Sequence, residues 1–67
     1  MQVKVNGETV ELEDGASVQA LLVHLEIPEP QGVAVAVNLD VIPRAERTSR
    51  ALRDGDRIDV VTAVGGG

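Results

Sequence analysis

The stretch Gln2-Val3-Lys4-Val5-Asn6-Gly7-Glu8-Thr9-Val10-Glu11-Leu12 decides the fold. Val3 and Val5 alternate with Gln2, Lys4 and Asn6, the period of two of a half-buried strand. Asn6-Gly7 is the strongest short hairpin signal, because a type I′ turn needs positive φ at both central residues. Val10 and Leu12 then alternate with Thr9, Glu11 and Glu13 in a second strand that Asp14-Gly15 ends. The chain therefore starts with a β-hairpin that has one apolar face, and that face needs a cover.

The residues that follow supply the cover. Ser17 is placed to cap a helix by accepting from an otherwise unpaired backbone N–H. Val18, Leu21, Leu22 and Leu25 sit at i, i+3, i+4 and i+7, one face of that helix. Pro28 is expected to stop it and biases Ile27 towards extended backbone. Gly32 opens Val33-Ala34-Val35-Ala36-Val37, apolar on both faces as in an interior strand, with the valines facing the helix. Asn38-Leu39-Asp40 turns the chain into a short strand at Val41-Ile42. Pro43 has no N–H for a ladder, so that strand lies at an edge or ends there. Asp54-Gly55-Asp56 turns again, and Ile58 and Val60 mark a last strand. The order β-β-α-β-β-β predicts an α+β chain, a mixed sheet of about five strands under one helix, which is the β-grasp arrangement of ubiquitin. The expected organisation is one domain over 1–61 and an extended tail over 62–67.

Composition narrows the function. The 67 residues include no cysteine, so no thiol serves as nucleophile, metal ligand or sulfur carrier. They include no Phe, Trp or Tyr, so stacking on nucleic-acid bases is out. The net charge of −5 argues against binding to a phosphate backbone. No apolar run approaches the roughly 18 residues of a membrane span, and Met1-Gln2-Val3-Lys4 does not open a signal peptide. A cytoplasmic protein without nucleic-acid or membrane partners is expected. All five arginines fall between positions 44 and 57; the expectation for Arg44, Arg47, Arg50 and Arg53 is a solvated loop. His24 lies off the apolar stripe and should face solvent. One His without Cys makes no metal site, and Ser17, Thr48 and Ser49 have no paired base. Neither a catalytic residue nor a metal ligand is assigned. Ala34, Ala36, Val61 and Ala63 fit either a flat docking patch on the sheet face away from the helix or simple space-filling. The register decides between them.

The last six residues, Thr62-Ala63-Val64-Gly65-Gly66-Gly67, carry the functional signal. Extended, they reach roughly 20 Å at most. Three terminal glycines stabilise a small domain poorly, because glycine loses the most backbone freedom on ordering. A frayed end accounts for such a tail. So does a tail made to enter a narrow active site of another protein, where a side chain beside the reacting Gly67 carboxylate would obstruct the channel. A carboxylate must be activated before it can act as an acyl donor, and ATP can do so through an acyl-adenylate. The chain has no phosphate-binding loop, so ATP chemistry belongs to a partner enzyme.

In these residues the chain resembles the ThiS-type sulfur carriers of thiamin biosynthesis. The resemblance rests on Val5-Asn6-Gly7-Glu8, on Val18 with Leu21-Leu22 and Leu25, on Val35-Ala36-Val37-Asn38 and on Ile42-Pro43-Arg44. Leu52-Arg53-Asp54-Gly55-Asp56-Arg57-Ile58 and Val61-Thr62-Ala63-Val64-Gly65-Gly66-Gly67 are its most specific part. The resemblance implies a protein co-substrate, not an enzyme. An E1-like enzyme of the ThiF type would adenylate Gly67 using ATP, and a persulfide from a cysteine desulfurase system would convert the adenylate to a thiocarboxylate. Thiazole synthase of the ThiG type would take the sulfur. Gly66, with Gly65, Val64 and Ala63, would thread the tail into both enzymes, and no tightly bound cofactor is implied. The small subunit of molybdopterin synthase, a carrier for tRNA thiolation and a ubiquitin-like modifier use the same kind of tail and stay open here, as does a β-grasp binding module with an incidental tail.

Three places depart from the family pattern. Glu26 stands where members often have glycine. A left-handed cap at a non-glycine residue costs about 1 kcal/mol, so the helix is expected to end in another way. Arg47 stands where members often carry tryptophan, and no partner contact is carried over to its loop. Pro28-Glu29-Pro30 should make a stiff connection after the helix.

Overall fold

The computed structural model of the chain describes residues 1–27 and 32–62. Strands β1 (Gln2–Val5) and β2 (Glu8–Glu11) form the predicted hairpin, followed by helix α1 (Val18–His24), β3 (Val33–Val37), β4 (Asp40–Val41), a short 3-10 turn at Arg44–Glu46, and β5 (Arg57–Thr62). The sheet runs β2-β1-β5-β3-β4. Every neighbouring pair is antiparallel except β1 and β5, which are parallel with Val5 opposite Ile58. This is the mixed five-stranded sheet under one helix expected from the sequence. β5 includes Thr62, paired with Val33, so the strand takes in the first residue assigned above to the tail. The other tail residues, Ala63 to Gly67, and the Pro28-Glu29-Pro30 connection lie outside the described residues.

The period-two pattern sorts side chains as anticipated. Val3, Val5, Val35, Val37, Ile58 and Val60 point to one face of the sheet and are buried against Val18, Leu21 and Leu22 of the helix. Leu12, Ile42 and Leu52 close the margins of this aliphatic core. Each such side chain contributes about 1.5–3 kcal/mol by leaving water. Asn6 and Gly7 have φ of 50° and 87°, the two positive values a type I′ turn needs. The β3–β4 turn makes the same demand with no glycine to meet it: Asn38 and Leu39 have φ of 49° and 72°.

The helix is short, and both of its ends are capped. Ser17 Oγ accepts from Ala20 N at 3.1 Å, the expected cap. The earlier first-turn N–H groups find main-chain carbonyls of the arginine-rich loop: Val18 N donates to Arg50 O at 3.0 Å and Gln19 N to Arg47 O at 2.9 Å. At the other end the helix stops ahead of Pro28. Glu26 adopts a left-handed φ of 57°, Glu26 N donates to Val23 O and Ile27 N to Leu22 O. These two bonds are a complete Schellman cap. The expectation that the absence of glycine would end the helix differently is thus corrected: both orphan carbonyls gain partners, and Ile27 packs against the core beside them, which offsets the strain at Glu26.

Arg47 corrects the other expectation. Its side chain is 4% exposed, not solvated. Its Nη2 donates to Val33 O at 2.6 Å. The long alkyl stem is buried with the head group, and the guanidinium meets a carbonyl at the start of β3. The other arginines lie at the surface, where Arg50 pairs with Asp40 and Arg57 with Asp59.

Candidate functional site: the tail end of β5

β5 is central in the sheet, held by β1 on one side and β3 on the other. β1 pairs with it only at Arg57 and Ile58, whereas β3 follows it through to Thr62, so β3 alone holds the last residues of the strand by main-chain pairing. The period-two alternation turns Val60 inward and Val61 outward. Val61 lies directly opposite Ala34, and both are exposed. Ala36 is half-buried and faces Asp59 on one side and the exposed Val41 on the other. This register puts Ala34, Ala36 and Val61 on the sheet face away from the helix, and with Val41 they form an apolar strip that reaches the end of β5. Ala63 lies outside the described residues, as do Val64, Gly65, Gly66 and Gly67.

The polar flank of this strip is built from Lys4, Asn6, Arg57 and Asp59 around a shallow depression. Arg57 Nε and Asp59 Oδ2 are 3.4 Å apart, an exposed pair of small energetic weight. The asparagine does more. Asn6 Nδ2 donates to Val60 O at 3.0 Å, and Asn6 Oδ1 accepts from Val60 N at 2.8 Å. From the sequence Asn6 is legible only as a turn residue. A side-chain contact to a residue 54 positions away has no local signature.

Elsewhere the surface offers open depressions. One lies between β2 and α1, lined by Glu11, Leu12, Glu13, Ala16, Ala20 and His24. His24 is exposed, as its place off the helix stripe implied. Ser17 is engaged in capping, and Ser49 Oγ donates to Glu46 O. Among the described residues no three His, Asp or Glu side chains gather to hold an ion. No helix among the described residues is long and apolar enough to cross a membrane.

The architecture, the motifs along β1, α1 and β3 and the closing glycines all coincide with one known pattern. A family model described as the ThiS family matches residues 3–67. The chain belongs to the ThiS family. It is 30% identical over 67 residues to the sulfur carrier protein ThiS of Escherichia coli (strain K12), and the match covers the whole of both chains. The crystal structure of the thiamine biosynthesis protein ThiS from Geobacter metallireducens superposes with a TM-score of 0.83 at 28% identity, again over the full length of both chains. The chain is also 34% identical over 67 residues to a thiazole synthase of Paramagnetospirillum magneticum, of which it spans only 20%. A ThiS-like stretch thus makes up about a fifth of that larger protein's length.

Proposed function

We propose that this ThiS-family chain carries sulfur for thiazole formation in thiamin biosynthesis, with the C-terminal carboxylate of Gly67 as the handle. An E1-like partner of the ThiF type transfers AMP from ATP to that carboxylate and releases pyrophosphate. The outer sulfur of a persulfide supplied by a cysteine desulfurase system displaces AMP to give an acyl disulfide, and a thiol then breaks its S–S bond, releasing the thiocarboxylate and leaving a disulfide on the donor. Thiazole synthase of the ThiG type then takes the sulfur. The chain itself acts as co-substrate in the cytoplasm: Gly65 and Gly66 let the tail lie close to enzyme groups, with Val64 and Ala63 leading into it.

The observation that carries this reading is the family match over residues 3–67, which includes the glycine tail. Three others support it. A chain without cysteine needs a non-thiol place for sulfur, and a terminal carboxylate provides one. The apolar strip of Ala34, Val41 and Val61 offers a grip beside the tail. A thiazole synthase that contains a stretch similar to this whole chain supports that enzyme class as the sulfur acceptor.

The test is intact mass spectrometry after incubation with the adenylating enzyme, ATP and a persulfide donor. A gain equal to one oxygen-to-sulfur exchange, lost again on addition of thiazole synthase and its substrates, is the expected result. An unchanged mass with an enzyme shown to be active would defeat the reading.

A further inference from the structure

Three hydrogen bonds join Asn6 to β5. Its main-chain N–H donates to Ile58 O at 2.9 Å. Its side-chain amide then makes both remaining bonds to one residue, accepting from Val60 N at 2.8 Å and donating to Val60 O at 3.0 Å. The parallel pairing of β1 with β5 ends at Val5 opposite Ile58, where the hairpin turns away. A side-chain amide carries the same donor and acceptor as a peptide group. The amide of Asn6 therefore stands in for the next peptide of β1 and extends the ladder by one rung along β5, towards the tail.

Where that rung falls matters. Main-chain groups of β5 alternate between its two neighbours: Arg57 O accepts from Asn38 N on the β3 side, while Asp56 O and Ile58 O accept from β1 and Asn6 on the other. Val60 is thus the last residue whose main chain is tied on the β1 side. By the same alternation Thr62 turns its N–H and C=O to the side that β1 has left. Asn6 is the point at which the strand stops being held from both sides and the tail's approach begins.

We infer that Asn6 is a positioning residue for activation of the tail: by pairing with Val60 it orders the base of the tail before any partner binds, and so lowers the ordering cost of docking. This rests on the carrier reading above. The side chain touches neither the carboxylate nor ATP, so its removal acts on KM for the carrier and leaves kcat alone.

Asn6→Gly separates the two jobs of this residue, because glycine keeps the positive φ of the turn and deletes the amide pair. Ser17→Ala serves as a control, since it removes a helix cap from an element that takes no part in the Asn6–Val60 pair. ATP–pyrophosphate exchange by the adenylating enzyme is measured at varied carrier concentration, and amide hydrogen exchange is followed by NMR. For Asn6→Gly we expect KM to rise about tenfold with kcat unchanged, and the Val60 amide to exchange at least about tenfold faster while the Val35 amide does not change, the scale of losing two hydrogen bonds of modest net worth. Ser17→Ala should leave KM where it is. A KM for Asn6→Gly equal to wild type, an equal rise in both variants, or an undisturbed Val60 amide overturns the inference while the carrier reading stands. Failure of the wild-type chain to support any exchange overturns both.

Discussion

Arg47 Nη2 donates to the carbonyl of Val33 at 2.6 Å, while the buried Nε of the same guanidinium has no partner among the described residues. The side chain sits at the start of β3, opposite the last residue of β5, because Val33 pairs with Thr62. Its stabilising effect is divided: the stem fills space, one N–H satisfies a carbonyl, and a desolvated charge with an unmet donor works against both. Arg47→Met keeps the stem and removes the charge, so its stability should stay within about 1 kcal/mol of wild type. Arg47→Ala removes the stem as well and should lose about 2–3 kcal/mol. Urea unfolding with matched m-values measures both. A Met variant as unstable as the Ala variant would assign the stabilisation to the guanidinium instead.

Besides Asn6 and Asn38, two side chains occupy backbone that glycine prefers. Glu26 forms the Schellman cap at φ 57°, and Leu39 sits in the β3–β4 turn at φ 72° with 76% of its surface exposed. The left-handed region costs a residue with a Cβ roughly 1–2 kcal/mol. Glycine relieves that strain but starts from a freer unfolded chain. The net expectation for Glu26→Gly and for Leu39→Gly is a gain of about 1 kcal/mol each, which for a domain of this size raises Tm by about 4–8 °C. Thermal melts followed by circular dichroism check it. The two positions share no partner, so the gains should add.

These sites also mark where the sequence is readable and where it is not. The hairpin, the helix stripe and the inward valines of β3 are periodic, and periodicity survives in a single chain as a repeating pattern of burial. The Ser17 cap and the Asn6-Gly7 turn are readable because their chemistry is local. Arg47 is not: one arginine of five in a loop gives no sign that its stem closes the core, since burial there depends on how residues 44–52 fold back over the helix. Leu52 was hidden for the same reason. It is a core residue whose N–H donates to Ala16 O at 2.8 Å, a contact made only once the loop has returned to the helix. Glu26 misleads by composition, because the hydrogen bonds of its cap outweigh a conformational preference that is all the sequence displays. The candidate site divides likewise. Its glycines are plain in the sequence, but the Ala34–Val61 register and the Asn6–Val60 pair arise from long-range pairing.

The helix N-terminus has both a local and a distant partner, which sets the scale for its removal. Ser17 Oγ accepts from Ala20 N, while Val18 N and Gln19 N are satisfied by carbonyls of the 47–50 segment. Ser17→Ala deletes only the first and should cost about 1 kcal/mol. Were the cost closer to that of a buried leucine, the serine would have to be holding the Ser17–Ala51 bridge between the helix and the arginine-rich loop as well. Denaturant titration separates the two cases through the midpoint, at unchanged m.

Core and tail make opposite demands on this small domain, and two variants should pull them apart. Leu22 is buried against the sheet, and truncating it removes contacts that a chain of 67 residues cannot replace from elsewhere. Leu22→Ala should cost about 2–5 kcal/mol, a large part of the stability available to such a domain. Deletion of Gly67 instead moves the terminal carboxylate back to Gly66, one residue short of the reach that activation requires. It should leave Tm within about 1 °C, far below the 4–8 °C shift that 1 kcal/mol produces, and abolish sulfur loading. The pair is read by thermal melting and by intact mass after incubation with the activating enzyme, ATP and a persulfide donor. Any folded fraction of Leu22→Ala should still be loaded, since its tail is whole. A substantial fall in Tm on losing Gly67 would mean that the terminus contributes to the fold, and the chemistry would have to be sought elsewhere on the molecule.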